Sequence, residues 1–137
     1  MSQKQSIPDL YHFTCHHGHA GISRTGVLIP NIHPLMRGLG PLLWLTDLAS
    51  PETRESVGLT SRLTTCDRLA YRYSVHCRAA IHWFEIHGRA PKDVVADLES
   101  SGGQPEHWWV VRRMLTASEF SFDEKWRRDV AASELYK

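Results

Sequence analysis

Cys15, His16, His17 and His19 fall within five residues, and Cys66, His76 and Cys77 form a second group further along the chain. Thiolate and imidazole are the ordinary ligands of zinc, so two such groups brought together could build a zinc hydrolase site or a structural zinc centre. The spacing fits no common zinc module, and adjacent residues such as His16 and His17 rarely converge on one ion. No metal ligand is therefore assigned. A cysteine nucleophile with a histidine base is the next option, but no glycine or asparagine pattern accompanies any of the three cysteines.

Three other segments speak together. The first is Leu10-Tyr11-His12-Phe13-Thr14, the second runs from Leu43 through Trp44, Thr46 and Asp47 to Ser50, and the third is Glu106-His107-Trp108-Trp109-Val110. A His with Thr two residues on, an aromatic-apolar-small-Asp run leading to a Ser, and a Glu entering a β-prone run occur in that order. On these residues the chain resembles the ADP-ribosyltransferase superfamily, in the His-Tyr-Glu branch that holds poly(ADP-ribose) polymerases, RNA 2′-phosphotransferases and rifampicin-modifying transferases. The motif segments cover about a sixth of the chain.

The resemblance implies a compact α+β domain over residues 1–137 with a split β-sheet core and short helices, and NAD as co-substrate. It implies that backbone groups beside His12, at Phe13, hold the carboxamide of nicotinamide, and that the His12 ring bonds the adenosine ribose. Thr14 or Ser50 would help hold the nicotinamide, Trp44 would stack on it, and Glu106 would favour positive charge developing on the sugar. Arg24, Arg37, Arg54 and Arg62 flank the expected cleft. Arg24, just before Gly26, is the candidate for the pyrophosphate. Position 44 is Trp where the branch has Tyr, and an indole is larger and lacks a hydroxyl acceptor. The implied activity is transfer of ADP-ribose, with release of nicotinamide, to a small molecule, a protein or a nucleic acid. The alternative is a module that binds NAD or ADP-ribose without cleaving it.

Composition bounds these readings. The 137 residues carry 16 Lys plus Arg against 15 Asp plus Glu, a net charge of +1, which excludes a general electrostatic grip on nucleic acid or membrane. Arg112-Arg113 and Arg127-Arg128 read as solvated faces. No apolar run approaches the roughly 20 residues of a membrane span, and the polar start is unlike a secretory signal. With few cysteines and no CxxC, a cytoplasmic location is expected. Five Trp and nine His are many for this length, and the Trp alone promise large buried areas.

The elements that must position these side chains are short. Leu10 to Thr14 and Leu42 to Thr46 read as buried strands, and Arg68 to Val75 alternates as a half-buried one. His17 to Thr25 reads as a helix stopped by Gly26, with Ala20, Ile22 and Ser23 facing inward. Asn31 to Pro41 is a loop. Ser50-Pro51-Glu52 would open a short helix ended at Gly58. Pro91 to Leu98 reads as an amphipathic helix, Glu106 to Val111 as a strand, and the tail from Asp123 as helical. Ala79 to His87 fits either strand or helix.

Overall fold

A computed structural model describes residues 7–57 and 67–126. Gly58, Arg62, Cys66, Arg127 and Arg128 lie outside these residues, as does most of the expected tail helix. The fold is α+β. Strands β1 (Leu10–Thr14), β2 (Asn31–Ile32), β3 (Pro41–Thr46), β4 (Tyr71–Val75), β5 (Ile81–His82), β6 (Trp108–Val111) and β7 (Phe120–Phe122) alternate with helices α1 (His16–Thr25) and α2 (Lys92–Ser100) and several single 3₁₀ turns. All strand pairs are antiparallel, in the order β5-β6-β3-β1-β4-β7, with β2 added to β3.

The register sets which side chains share a face, because Cα partners point the same way and neighbours along a strand point oppositely. Tyr11 pairs with Thr46, while Trp44 pairs with Val110 and Thr46 with Trp108. One face therefore carries Tyr11, Phe13, Leu42 and Trp44. Leu42, Trp108 and Val110 bury there against Trp83, Ile86 and Leu98. The other face carries Leu10, His12, Thr14, Leu43 and Leu45, with Leu10, Leu43, Leu45 and Val111 packed under Leu28 and Leu115.

Buried indoles need a partner for their N–H. Trp83 donates to Glu99 Oε2 at 2.6 Å, and Trp108 donates to the Ser56 carbonyl at 2.6 Å. Glu99 also accepts from His87 Nδ1 at 2.8 Å, so one α2 carboxylate holds both the core indole and the turn beyond it.

Helix α1 ends as its sequence predicts. Gly26 takes the left-handed conformation at φ 73°, and its N–H closes on the Ile22 carbonyl at 2.7 Å. Its inward side differs from the expectation: Ala20 and Ser23 are exposed, and Ile22 alone of the three packs on the core. The cause is a close approach at the other end of the helix. Gly18 lies directly on the Thr14 hydroxyl, with no room for a Cβ. Tyr73 secures the middle. Burial, with a smaller effect from Tyr71, pushes its hydroxyl up to about 12, and the neutral phenol shares a hydrogen bond with His19 Nδ1 at 2.5 Å.

Two further expectations are corrected, and one strand is added to those expected. The segment after Ser50 forms bends and one 3₁₀ turn over Glu55–Val57. Ser50 is exposed and stands five residues before that turn, too far along the chain to be its cap. The half-buried strand starts at Tyr71, because residues 68–70 turn on Asp67, whose Oδ1 accepts from the Leu69 amide at 3.0 Å. Residues 120–122 form a strand, since β4 offers an open edge that pairs Tyr73 with Phe122 and Val75 with Phe120.

Gly103 packs against the Trp108 ring, and an added methyl would stand 2.7 Å from Cζ2 and 3.0 Å from the Glu99 carbonyl oxygen. Gly103→Ala is expected to cost about 1–3 kcal/mol through overpacking. Denaturant unfolding checks this: the midpoint falls while the slope is unchanged.

Candidate functional site

A cleft opens where β1 and β3 part. The two strands share the single register pair Tyr11–Thr46, and beyond it the C-terminal half of β1 diverges from the N-terminal half of β3. The gap has a volume of about 350 Å³ and is walled by His12, Phe13 and Thr14, by residues 42–44, by α1 with Arg24, and by Arg68. That volume is at the lower end of the ~300–1,000 Å³ typical of small-molecule sites.

His12 stands at the neck of the cleft. Its Nδ1 lies 3.1 Å from the Trp44 carbonyl oxygen. A carbonyl only accepts, so Nδ1 carries the proton and Nε2 is left as the ring's acceptor. Burial lowers the His12 pKa from its ordinary 6.5; the Trp44 bond raises it and Arg68 lowers it further, with burial dominant. The ring is thus a neutral imidazole of defined tautomer.

Five of the residues singled out in the sequence line this cleft: His12, Phe13, Thr14, Arg24 and Trp44. They do not all present side chains to the same space. Trp44 lies on the opposite face from His12, and its indole packs 5.0 Å from Trp83 and edge-on to Trp108 at 5.9 Å, measured between ring centroids. What Trp44 gives the neck is its carbonyl. Ser50 and Glu106 are not among the lining residues. Glu106 sits in the 3₁₀ turn Pro105–His107 before β6, with its side chain 60% exposed.

Of the other arginines, Arg37 and Arg54 do not line the cleft, and Arg54 pairs with its neighbour Glu55 at 3.2 Å. Arg112 donates to the Leu39 carbonyl at 3.1 Å, and Arg113 grips Glu119 at 2.7 Å, so both have partners within the chain. Cys15 Sγ lies 3.9 Å from His17 Nδ1. Among the described residues, no group of three or more His, Cys, Asp or Glu could hold a metal ion, and no helix is long and apolar enough to cross a membrane.

A cluster that the sequence reading did not assign lies at the opposite end of β3. Asp47 accepts from His107 Nδ1 at 2.6 Å and from Trp109 Nε1 at 3.1 Å. In the sequence Asp47 follows one strand and His107 precedes another, and neither points to the other. Only the pairing of β3 with β6 brings them together.

No family model matches the chain, and no curated protein or solved structure matches it either.

The neutral state of His12 has a measurable consequence. The unfolded chain binds this proton first as pH falls, so acidification through 6.5 toward the lower folded pKa removes stability. His33, lowered by burial, acts with the same sign. An NMR titration is expected to place the His12 midpoint below 6.5. The loss of Tm on going from about pH 7 to about pH 5 should be smaller in His12→Asn than in the parent chain.

Proposed function

We propose that the chain binds NAD in the cleft between β1 and β3 and transfers ADP-ribose to an acceptor, releasing nicotinamide. The observation that carries this reading is the His12 imidazole, neutral and locked in one tautomer at the neck of the cleft, with Nε2 as an acceptor. A ribose hydroxyl is a donor that such a nitrogen can hold.

The donor set fits a dinucleotide. Thr14 offers a hydroxyl and Phe13 its backbone groups, while Arg24 and Arg68 give the wall positive charge for a pyrophosphate. The cleft would seat part of such a ligand, and the remainder would extend along its open rim. NAD supplies a glycosidic bond that weakens as positive charge develops on the sugar. Glu106, exposed beyond the far end of β3, would place its carboxylate toward that charge on a ligand lying along the rim.

A second reading is favoured by specific geometry. Glu106 and Ser50 stand outside the cleft wall, and the Trp44 indole is occupied by Trp83 and Trp108. This arrangement suits a module that holds the dinucleotide without cleaving it.

Following nicotinamide release from NAD, together with the ligand-induced rise in Tm, separates the two. The transferase reading expects release and a rise. It expects His12→Ala to lose the rise, and Glu106→Gln to keep it while turnover falls by about 10²–10³-fold. A rise without release selects the second reading, and the absence of both overturns them together.

A further inference from the structure

Beyond the Tyr11–Thr46 pair, the end of β3 lies against the start of β6. There the Asp47 amide donates to the His107 carbonyl at 3.2 Å, while His107 Nδ1 donates to Asp47 Oδ1 at 2.6 Å. Main-chain and side-chain bonds thus join the same two residues. Trp109 Nε1 donates to the second carboxylate oxygen at 3.1 Å, so Asp47 cannot rotate without losing a bond. A carboxylate only accepts. The His107 proton is therefore on Nδ1, and the Nε2 lone pair is exposed on a side chain that is 35% accessible.

That Nε2 lies 3.8 Å from Glu106 Oε1. The gap is too long for a direct hydrogen bond, yet one atom placed between them can reach both. Two acceptors facing one position select a group with two protons to give: water, or the NH₂ of an amine, amide or guanidinium. Asp47 and Trp109 also lie on the same sheet face as His12, because Leu45 pairs with Trp109 and Asp47 continues the Leu43–Leu45 side.

We propose that His107 is the base that takes the proton from the attacking nucleophile, with Asp47 as its positioning residue; this rests on the transferase reading above. In the step, a nucleophile O–H or N–H bond breaks and its proton passes to His107 Nε2. The nucleophile's electron pair forms the bond to ribose C1. The C1–nitrogen bond breaks, and its electron pair stays on the departing neutral nicotinamide. Asp47 offers its negative charge to the imidazolium so formed. Among the described residues, the charged groups shown near His107 besides Asp47 reduce to Glu106. His82 donates from Nε2 to the Glu106 carbonyl at 2.8 Å and so holds the turn in place.

The test uses NAD with water as the nucleophile, and repeats it with agmatine added as a guanidinium acceptor. His107→Asn is expected to lower kcat by about 10²-fold or more while keeping the NAD-induced rise in Tm. Imidazole should restore part of the rate to His107→Ala, and Asp47→Asn should move the acid limb of the kcat/KM profile. Full activity in His107→Asn overturns the base and leaves the transferase reading standing. No nicotinamide release by the parent chain overturns that reading and this inference with it. A ¹⁵N NMR measurement on the unsubstituted protein tests the geometry whatever the activity: a proton on Nδ1 is expected, and a proton on Nε2 overturns the assignment.

Discussion

Tyr11 lies opposite Thr46, and past that pair β1 and β3 separate. A continued antiparallel ladder would have closed the gap and set the amides of β1 against the carbonyls of β3. Instead, the imidazole of His12 reaches across and donates to the Trp44 carbonyl at 3.1 Å. A side chain longer than a backbone amide thus satisfies a strand carbonyl while keeping the two strands apart. An unpaired carbonyl at this depth would cost about 1–3 kcal/mol. One hydrogen bond therefore keeps the cleft open and fixes the tautomer of the ring at its neck.

The aromatic richness of the chain serves mainly the opposite face. Trp44, Trp83 and Trp108 converge with centroids 5.0–6.2 Å apart, and the two fully buried indoles hand their N–H groups to Glu99 and Ser56. This cluster anchors β3 and β6 as a rigid pair on one side of the gap. On the other side, Arg72 lies over the rings of Tyr11 and Trp126 and binds Asp123 at 2.6 Å, which ties β1 and β4 to the end of β7. The cleft is thus framed by two separately braced halves that meet at its neck.

What could be read from the sequence was local. The apolar run through Leu43 and Leu45, the alternation of Tyr71 to Val75, and the stop at Gly26 each depend on near neighbours, and each element forms. The α+β class follows from them. What could not be read depends on pairing. Whether Trp44 shares a face with His12 is decided by the one-residue register of β1 against β3. A slip of one position would have exchanged every side chain between faces. The strand at Phe120–Phe122 has too few residues to show a period, and it exists because β4 presents an edge. The same holds for the second cluster. Nothing within Asp47-Leu48-Ala49 or Glu106-His107 signals the other, and β6 had to be known as the partner of β3 before the pair could be seen.

Two histidines on one sheet face now carry the same tautomer, each giving Nδ1–H to an oxygen and keeping Nε2 as an acceptor. The oxygens differ, and that difference divides their work. His12 donates to a neutral carbonyl, is half-buried and poorly solvated, and feels the positive charge of Arg68, so all but the carbonyl bond oppose a second proton. It can hold a hydroxyl but is poorly placed to remove its hydrogen. His107 donates to a carboxylate, stands partly in solvent, and faces a second carboxylate across 3.8 Å. The two oxygens, the carbonyl of Trp44 within β3 and the carboxylate of Asp47 just past its end, lie three residues apart on one stretch of chain, so the course of that stretch sets the orientation of both rings.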